Sequence, residues 1–317
     1  MSLTIENNIL MKNGKPFFYL ADTCWSAFTN IKDNDWDYYL DYRKSQGFNT
    51  LQINILPQWD ASATDLCYEP FEVIDGKYNY KKLNLSYFEH ADKMCARAKE
   101  KGFVIMWCNF VPDTWASQFY SKGIMPIDCI DNYINIIHET FTKYEPLYII
   151  SGDTDFNTEQ CIEYYVKCAK QIKELAPNCL YTTHIKGRYT YIPDNLYSYL
   201  DLCFYQSGHN AQNLGMPYLL AEEMADKYKG KPVINSEPCY EDMGYSRQMY
   251  GRWSKEDIIR AAWMSLLSGA SAGITYGAAG IYSWHTTNKG FEASLGEGFA
   301  TPKCWQQALC FDGAWDY

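Results

Sequence analysis

Two carboxylates stand at the ends of apolar runs that have the composition of buried strands. Glu237 follows the apolar residues of KPVINSEPCYE, residues 231–241, and Asp153 ends the run LYIISGD, residues 147–153. Burying an unpaired acid costs free energy, so an acid at such a position is expected to meet partners or a ligand at the rim of a sheet. Two acids that end two different buried strands are what an enzyme with a carboxylate pair requires.

The chemistry that such a pair fits is hydrolysis of a glycosidic bond. One acid protonates the leaving oxygen, while the other is ionised and attacks the anomeric carbon. We assign Glu237 as the nucleophile and Asp153 as the acid/base. Asp155 and Glu241 are the nearest competitors, and Glu241 is expected to contact Arg247. Each chosen acid also has a purely structural interpretation, as a turn residue beside a glycine for Asp153 and as a salt-bridged acid for Glu237.

The elements that must position these acids are eight apolar runs that alternate with helical patterns. Continuous apolar runs are typical of parallel strands that are covered on both faces. Eight such units predict an α/β protein of the (β/α)8 TIM barrel class, and a dinucleotide fold is not supported because no G-x-G-x-x-G follows any strand. The predicted strands are 17–21, 48–54, 103–109, 147–151, 179–183, 201–205, 232–236 and 272–276. The predicted helices are 35–45, 83–101, 127–144, 158–175, 215–228 and 255–267.

We expect the whole chain, residues 1–317, to form a single catalytic barrel. Residues 5–20 predict an N-terminal hairpin around the turn at Asn13-Gly14. Residues 57–81 predict a long polar loop, and such long loops are often functional. Residues 302–317 predict the eighth helix, which we interpret as a truncated C-terminal helix because it is short and breaks at a glycine.

Polar and aromatic side chains follow nearly every predicted strand, at the end where barrel enzymes have their active sites. We expect this rim to bind a carbohydrate, with tryptophan rings stacking on sugars. Gln206, His209 and Tyr276 are expected to keep Glu237 ionised. The predicted substrate-binding residues are Asp22, Trp25, Asn54, Gln58, Trp107, Asn109, His184, Arg188, Gln206, His209, Tyr276 and Trp284.

The overall composition narrows the class of protein further. The net charge of −10, without a basic stripe, argues against a nucleic-acid partner. No apolar run is long enough to span a membrane, and the N-terminus lacks the apolar segment of a signal peptide. We therefore expect a cytoplasmic protein, while residues 1–3 leave room for a removed signal. The 12 cysteines lie in apolar segments without a C-x-x-C pair, which predicts reduced thiols and no zinc site.

Several short motifs give the chain a resemblance to one known family. They are LADTCW at 20–25, QGFNT at 46–50 with QIN at 52–54, SGD at 151–153, QSGH at 206–209 and NSEP at 235–238. In this order they resemble the apiosidase-like glycoside hydrolases, family 140 and its relatives, in the clan of retaining (β/α)8-barrel glycosidases. The resemblance implies that Asp153 is the acid/base and Glu237 the nucleophile, with a retaining mechanism and no cofactor.

Two features of the chain differ from that family. Ser151 stands where the family usually has a glycine before Gly152 and the acid, and the C-terminal β-sandwich that relatives often carry is absent from this sequence. The resemblance implies hydrolysis of a plant-type oligosaccharide or polysaccharide, and it does not identify the sugar.

Two other classes of function remain open at this point. A catalytically inactive carbohydrate-binding barrel would have a similar rim. A metal-dependent isomerase or hydrolase would need a cluster such as two histidines and two acids. Of the 5 histidines, His90 and His138 fall in the middle of predicted helices, which leaves few ligands for such a cluster.

Overall fold

The computed structural model describes residues 3–57, 61–108, 124–247, 249–290 and 301–317, and only the backbone of residues 105–108. Its strands are β1 (Leu3–Glu6), β2 (Ile9–Lys12), β3 (Lys15–Pro16), β4 (Tyr19–Thr23), β5 (Thr50–Asn54), β6 (Phe71–Ile74), β7 (Lys77–Leu83), β8 (Val104–Cys108), β9 (Leu147–Ile149), β10 (Leu180–Thr182), β11 (Cys203–Tyr205), β12 (Val233–Asn235) and β13 (Gly273–Tyr276). Eight of them, β4, β5 and β8 to β13, form one parallel sheet.

This sheet curls into a barrel in which the barrel strands lie side by side in the order in which they follow along the chain, with one gap. The order is β10-β9-β8-β5-β4-β13-β12-β11, so the last strand, β13, pairs with the first, β4. The remaining gap, between β10 and β11, is bridged where the amide of Asp201 donates to the carbonyl of Tyr181 at 2.8 Å. The predicted (β/α)8 TIM barrel is therefore confirmed.

Helices cover the outer face of the barrel and follow its strands along the chain. They are α1 (Ala27–Asn30), α2 (Asp33–Ser45), α3 (Leu85–Glu100), α4 (Ile130–Phe141), α5 (Glu159–Leu175), α6 (Asp194–Tyr197), α7 (Met216–Lys227), α8 (Lys255–Leu267), α9 (Trp305–Leu309) and α10 (Gly313–Asp316). The helix predicted at 255–267 has these bounds in the structure, because Ser254 and Asp257 form a capping box at its start. The helix predicted at 127–144 has one 3-10 turn at each end, Ile127–Cys129 and Thr142–Tyr144.

Two parts of the helical layer differ from the prediction. The fifth barrel strand, β10, is followed only by the single turn of α6, where no helix was predicted. Residues 302–317 do not form one helix but two short ones, α9 and α10. The break falls at Asp312, just before a glycine, which weakens helix propagation.

The prediction of an N-terminal hairpin at 5–20 is wrong in its second half. Asn13 and Gly14 both have positive φ angles, 57° and 72°, as the predicted turn requires. The returning strand β3 stops at Pro16, however, and β1, β2 and β3 form a small antiparallel sheet. The amide of Phe17 still donates to the carbonyl of Leu10 at 2.7 Å, and the chain then leaves this sheet and enters β4 of the barrel.

The segment predicted as a loop at 57–81 contains a second hairpin. Strands β6 and β7 pair antiparallel around Asp75 and Gly76, whose φ angles are 49° and 76°. An Asp-Gly pair between short runs with β-propensity is a hairpin signal that was available in the sequence.

The cysteines and the helices agree with two expectations from composition. Every cysteine whose side chain is described is a free thiol, and most are buried, as small apolar side chains usually are. None of the described helices combines the length and the apolar composition that crossing a bilayer takes.

Candidate active site

Four consecutive barrel strands bring a polar side chain to the same rim. Asp153 follows β9, His184 follows β10, Gln206 directly follows β11, and Glu237 follows β12. His209 lies three residues after Gln206 on the same loop. The carboxyl ends of parallel strands share one face of the barrel, which explains why residues far apart in the chain meet there.

Histidines join the two predicted catalytic acids. The Nε2 atom of His184 lies 2.9 Å from Oδ1 of Asp153 and 2.9 Å from Oε2 of Glu237. The other oxygen of Glu237, Oε1, lies 2.8 Å from Nε2 of His209. Gln206 donates its amide hydrogens to Asp153 Oδ1 and, at 2.7 Å, to the carbonyl of Ile185. Each carboxylate is therefore held by two side chains.

This arrangement keeps Glu237 ionised although the residue is only 9% exposed. Burial alone raises the pKa of Glu237, but the hydrogen bonds and charges of His184 and His209 outweigh it and lower the pKa to about 2. Burial lowers the pKa of His184, and the hydrogen bonds to Asp153 and Glu237 outweigh it and raise that pKa to about 10. At neutral pH the site therefore holds an imidazolium between its two acids.

Stability should depend on this imidazolium. Because the pKa of His184 is higher in the folded than in the unfolded state, its stabilising contribution is complete below pH 6.5 and is lost as the pH rises to about 10. We expect the free energy of unfolding to fall across this interval, and to fall less steeply in His184→Gln. Urea unfolding at a series of pH values measures both slopes, and equal slopes in the two proteins would contradict the assignment.

Asp153 differs from Glu237 in its contact with solvent. Its side chain is 28% exposed, against 12% for Glu237. Among the described residues, nothing donates to Asp153 Oδ2, because His184 and Gln206 both contact Oδ1. The competing acid Asp155 lies 3.0 Å from the ammonium of Lys186 and takes no part in the cluster. Asp153 is therefore the more solvent-exposed of the two acids.

Aromatic rings pack against the two histidines. The indole nitrogen of Trp25 donates to the hydroxyl of Tyr240 at 3.0 Å. Trp25 contacts His184 edge to face at 5.7 Å between ring centroids, and Tyr240 contacts His209 in the same way at 4.5 Å. Tyr240 was not predicted, although it stands three residues after Glu237 in the same stretch, residues 231–241. These contacts orient the two imidazole rings that contact Glu237.

A sequence profile of one family matches nearly all of this chain. The profile is described as "Apiosidase-like, catalytic domain", and it covers residues 5–317. The chain belongs to the apiosidase-like family. The resemblance found in the sequence motifs is thereby confirmed. No curated protein sequence matches this chain significantly.

Solved structures similar to this apiosidase-like chain are glycoside hydrolases. A family 5 glycoside hydrolase from Bacteroides vulgatus is 25% identical with a TM-score of 0.80, over 99% of this chain and 69% of that one. A second glycoside hydrolase is 24% identical with a TM-score of 0.79, over 99% and 72%. An endo-1,4-β-mannanase from Thermotoga petrophila, 15% identical with a TM-score of 0.57 over 89% and 94%, shares the fold. The protein is a glycosidase, and its substrate is a carbohydrate.

The remaining predicted rim residues lie at different depths in this apiosidase-like barrel. Asn54 is 3% exposed, and its backbone amide donates to the carbonyl of Trp25 at 3.1 Å. Arg188 donates its backbone amide to the carbonyl of Gln206 at 2.9 Å, and its guanidinium contacts the carbonyl of Asn210. Arg188 therefore adjoins a partner of Asp153, and Asn54 adjoins the tryptophan that packs against His184.

Three residues predicted to bind substrate are buried in the core instead. Asp22 is fully buried and pairs with Arg43 at 2.6 Å. Trp284 is 1% exposed and stacks on another indole ring. Tyr276 donates to Glu241 at 2.6 Å and not to Glu237. The reason is that successive strand residues face opposite sides of the sheet, and Asp22 and Tyr276 face the helical layer.

Glu241 also has a different partner from the one expected. Besides the hydroxyl of Tyr276, it accepts the amide of Gly313 at 3.2 Å, and no described contact links it to Arg247. It joins the loop after β12 to the C-terminal helix α10. Two further predicted residues, Gln58 and Asn109, lie outside the described residues, and for Trp107 only the backbone within β8 is described.

The acid and histidine atoms are also close enough to share a cation. One oxygen of Asp153, one nitrogen of His184 and one oxygen of Glu237 lie within 4.8 Å of one another. His209 contacts the second oxygen of Glu237, so two histidines and two carboxylates converge. Zinc and similar divalent ions accept this set of ligands. The absence of a metal remains a prediction from the sequence.

Proposed function

We propose that this glycosidase works by double displacement with retention, with Glu237 as the nucleophile and Asp153 as the acid/base. The observation that carries the proposal is the pairing of an acid held ionised by two histidines with a second acid that is partly open to solvent. A nucleophile must be ionised, which suits the environment of Glu237. An acid/base must exchange protons, which suits the partly exposed Asp153.

The reaction then proceeds in two balanced steps. Glu237 attacks the anomeric carbon, the glycosidic bond breaks, and Asp153 transfers its proton to the leaving oxygen. A water molecule then attacks the covalent glycosyl-enzyme, Asp153 takes the proton of that water, and the Glu237 carboxylate is released. His184 and His209 hold Glu237 in one orientation and stabilise its charge when it leaves the sugar.

The separation of the two acids supports retention over inversion. Inverting enzymes need about 6.5–9.5 Å between the carboxyl groups to fit a water molecule, while retaining enzymes have about 5–5.5 Å. The facing oxygens of Asp153 and Glu237 lie within 4.8 Å of each other, and one imidazole nitrogen contacts both. This spacing leaves the nucleophile itself, rather than a water molecule, next to the sugar.

The substrate is proposed to be a plant-type oligosaccharide or polysaccharide. The family description, "Apiosidase-like, catalytic domain", and the resemblance of the sequence motifs to that family support this class. Trp25 and Tyr240 pack against the two histidines and are almost fully buried, so they hold the reacting centre rather than contact the sugar.

The test is hydrolysis of a panel of aryl apiosides, arabinosides, galactosides, glucosides and xylosides, with NMR detection of the first anomer formed. We expect turnover of one sugar with retained configuration. In Asp153→Ala, the rate of hydrolysis should fall by about 10²–10⁴-fold for substrates with a poor leaving group. The rate should fall less for activated aryl glycosides. Asp155→Ala is the matched control. An inverted product, or an active Asp153→Ala beside an inactive Asp155→Ala, would overturn the assignment.

A metal-dependent hydrolase is the second candidate, and one observation favours it. Two histidines and two carboxylates meet at the site, which is the ligand set that such an enzyme needs. The same hydrolysis assay, repeated after dialysis against a chelator, separates the two functions. The glycosidase with a carboxylate pair keeps its activity without metal, whereas a metal-dependent enzyme loses it and recovers on addition of Zn²⁺ or Mn²⁺.

A further inference from the structure

A buried glutamine reaches across the inside of the barrel. Gln52 lies in β5, whose residues are all buried, and its own exposed fraction is 0%. Its side-chain nitrogen, Nε2, donates to the carbonyl of Ser236 at 2.9 Å. Ser236 directly follows β12, and β4 and β13 lie between β5 and β12 in the sheet. The hydrogen bond therefore crosses the interior of the barrel instead of joining neighbouring strands.

The carbonyl that Gln52 holds belongs to the peptide unit between Ser236 and Glu237. The same serine is also fixed by β11, because its amide and its hydroxyl both donate to the carbonyl of Tyr205, at 2.8 Å and 3.2 Å. A peptide unit is planar, so contacts at Ser236 restrict the position of the next Cα atom, which carries the side chain of Glu237. Gln52 and Tyr205 thus hold the backbone of the proposed nucleophile from two different strands.

Ser236 also adjoins the imidazole that joins the two acids. Its Oγ atom lies 3.3 Å from Nδ1 of His184. A carbonyl can only accept, so the single hydroxyl hydrogen of Ser236 points to Tyr205 and a lone pair is left for His184. Nδ1 of His184 therefore donates to Ser236, while Nε2 lies against Asp153 and Glu237. A shift of the Ser236 peptide would move the nucleophile and also the ring that binds it.

The surroundings of Gln52 favour a role in function over a role in stability. Its neighbours in β5, Leu51 and Ile53, are buried apolar residues. The Oε1 atom of Gln52 is buried too, and no described residue donates to it. A buried amide that is paired at one end only adds little to stability, because the cost of burying the other end offsets the hydrogen bond. An apolar side chain of the same length would suit a purely structural position.

We propose that Gln52 is a positioning residue for hydrolysis, which holds the peptide between Ser236 and Glu237 so that the carboxylate of Glu237 stays placed for attack. The inference rests on the proposed role of Glu237 as the nucleophile. No described contact joins Gln52 to either acid, so Gln52 acts through the backbone and not on the substrate.

The experiment compares steady-state kinetics and thermal unfolding of the full chain in wild type and in Gln52→Met. Methionine has a similar length and volume but cannot donate a hydrogen bond to Ser236. Without that bond the peptide can shift, and a displacement of about 1 Å at the reacting group lowers the rate by about 10²-fold. We expect kcat to fall by about 10²-fold, KM to change by less than about threefold, and Tm to fall by no more than about 4 °C.

Gln52→Glu gives a reading that a structural role would not produce. A protonated carboxyl group can donate to the carbonyl of Ser236 and an ionised one cannot, while burial raises the pKa of a carboxyl group. The ratio of kcat in this variant to kcat in wild type should therefore be highest at low pH, and it should fall toward the Gln52→Met value as the carboxyl group ionises. A ratio that stays at the Gln52→Met value at every pH would contradict the proposal.

Tyr181→Phe is the matched control. The hydroxyl of Tyr181, a fully buried residue of β10, donates to the carbonyls of Ile172 and Ala176 at 3.1 Å and 2.6 Å. The variant therefore also loses a buried hydrogen bond from a side chain to the backbone. These carbonyls lie at the end of α5, on the outer layer of the barrel. We expect kcat to stay within about threefold of wild type.

Heteronuclear NMR of the histidine side chains gives a reading that needs no substrate, and His184→Gln assigns the signals of His184. Gln52→Met should shift the Nδ1 signal of His184, and Tyr181→Phe should leave it unchanged. Wild-type kcat in folded Gln52→Met, or an unchanged Nδ1 signal, would overturn the inference. An inverted product or an active Glu237→Ala would instead overturn the proposed function, and the NMR signal would still test the contact through Ser236.

Discussion

Replacing Glu237 with alanine is expected to reduce kcat by roughly four to six orders of magnitude on every substrate that the enzyme hydrolyses. The loss is this large because the variant has no group that can form the glycosyl-enzyme. It differs in kind from the loss in Asp153→Ala, which depends on the leaving group. Steady-state kinetics on the best aryl glycoside of the panel measures it.

Chemical rescue sharpens this prediction. Alanine leaves space on the anomeric side, so azide can attack in place of the missing carboxylate and release a glycosyl azide of inverted configuration. We expect azide to accelerate Glu237→Ala and to leave the wild-type rate unchanged. Product analysis by NMR distinguishes this reaction from residual hydrolysis.

Glu241→Gln is the matched control for the nucleophile. It changes an acid four residues away that is 7% exposed and contacts Tyr276 and an amide of the C-terminal helix, away from the histidines. This variant should keep kcat within about tenfold of wild type, because glutamine still accepts the hydrogen bond of the tyrosine. If Glu241→Gln were inactive while Glu237→Ala turned over, the nucleophile would have to be reassigned.

Replacing Arg43 with methionine is expected to lower the free energy of unfolding by about 3–5 kcal/mol. Arg43 and Asp22 are both fully buried, and their ion pair is 2.6 Å long. Tyr39 donates to the same Asp22 oxygen at 2.7 Å, and the guanidinium lies 5.2 Å from the ring of Tyr276 and 5.3 Å from that of Phe48. Methionine fills much of the volume but leaves the Asp22 carboxylate without its counter-charge in the core.

The double variant Arg43→Met, Asp22→Asn tests that cause. Removing the second charge should recover a substantial part of the loss, because the penalty comes from an uncompensated buried charge and not from lost volume. The exposed pair of Arg97 and Asp37 provides the control, and Arg97→Met should leave the urea midpoint nearly unchanged. No recovery in the double variant would show that packing, and not charge, determines the effect.

The barrel and the place of Asp153 and Glu237 at its rim could be predicted because both follow from local patterns. Continuous apolar runs are typical of buried parallel strands, and an acid that ends such a run is brought to the shared rim by the fold itself. The prediction failed where the sequence signal was short. The Asp75-Gly76 hairpin interrupts a polar segment, and Pro16 ends one sheet before the next begins.

The roles of individual rim residues could not be predicted in the same way. Asp22 and Glu237 both stand at the carboxyl end of a barrel strand, yet one faces Arg43 in the core and the other faces two histidines. A shift of one residue along a strand reverses the direction of the side chain, and strand ends are known from sequence only to within a few residues. The sequence therefore predicted which residues stand at the strand ends, but it did not predict the direction in which their side chains point.

By itself, the sequence determined an α/β barrel with Asp153 and Glu237 at the carboxyl ends of its strands. The reason is that the apolar runs and their order along the chain can be read directly from the sequence. The tertiary structure alone decided that His184 bridges the two acids. Those contacts join residues from different loops, and their distances depend on how neighbouring strands pack, which no local pattern records.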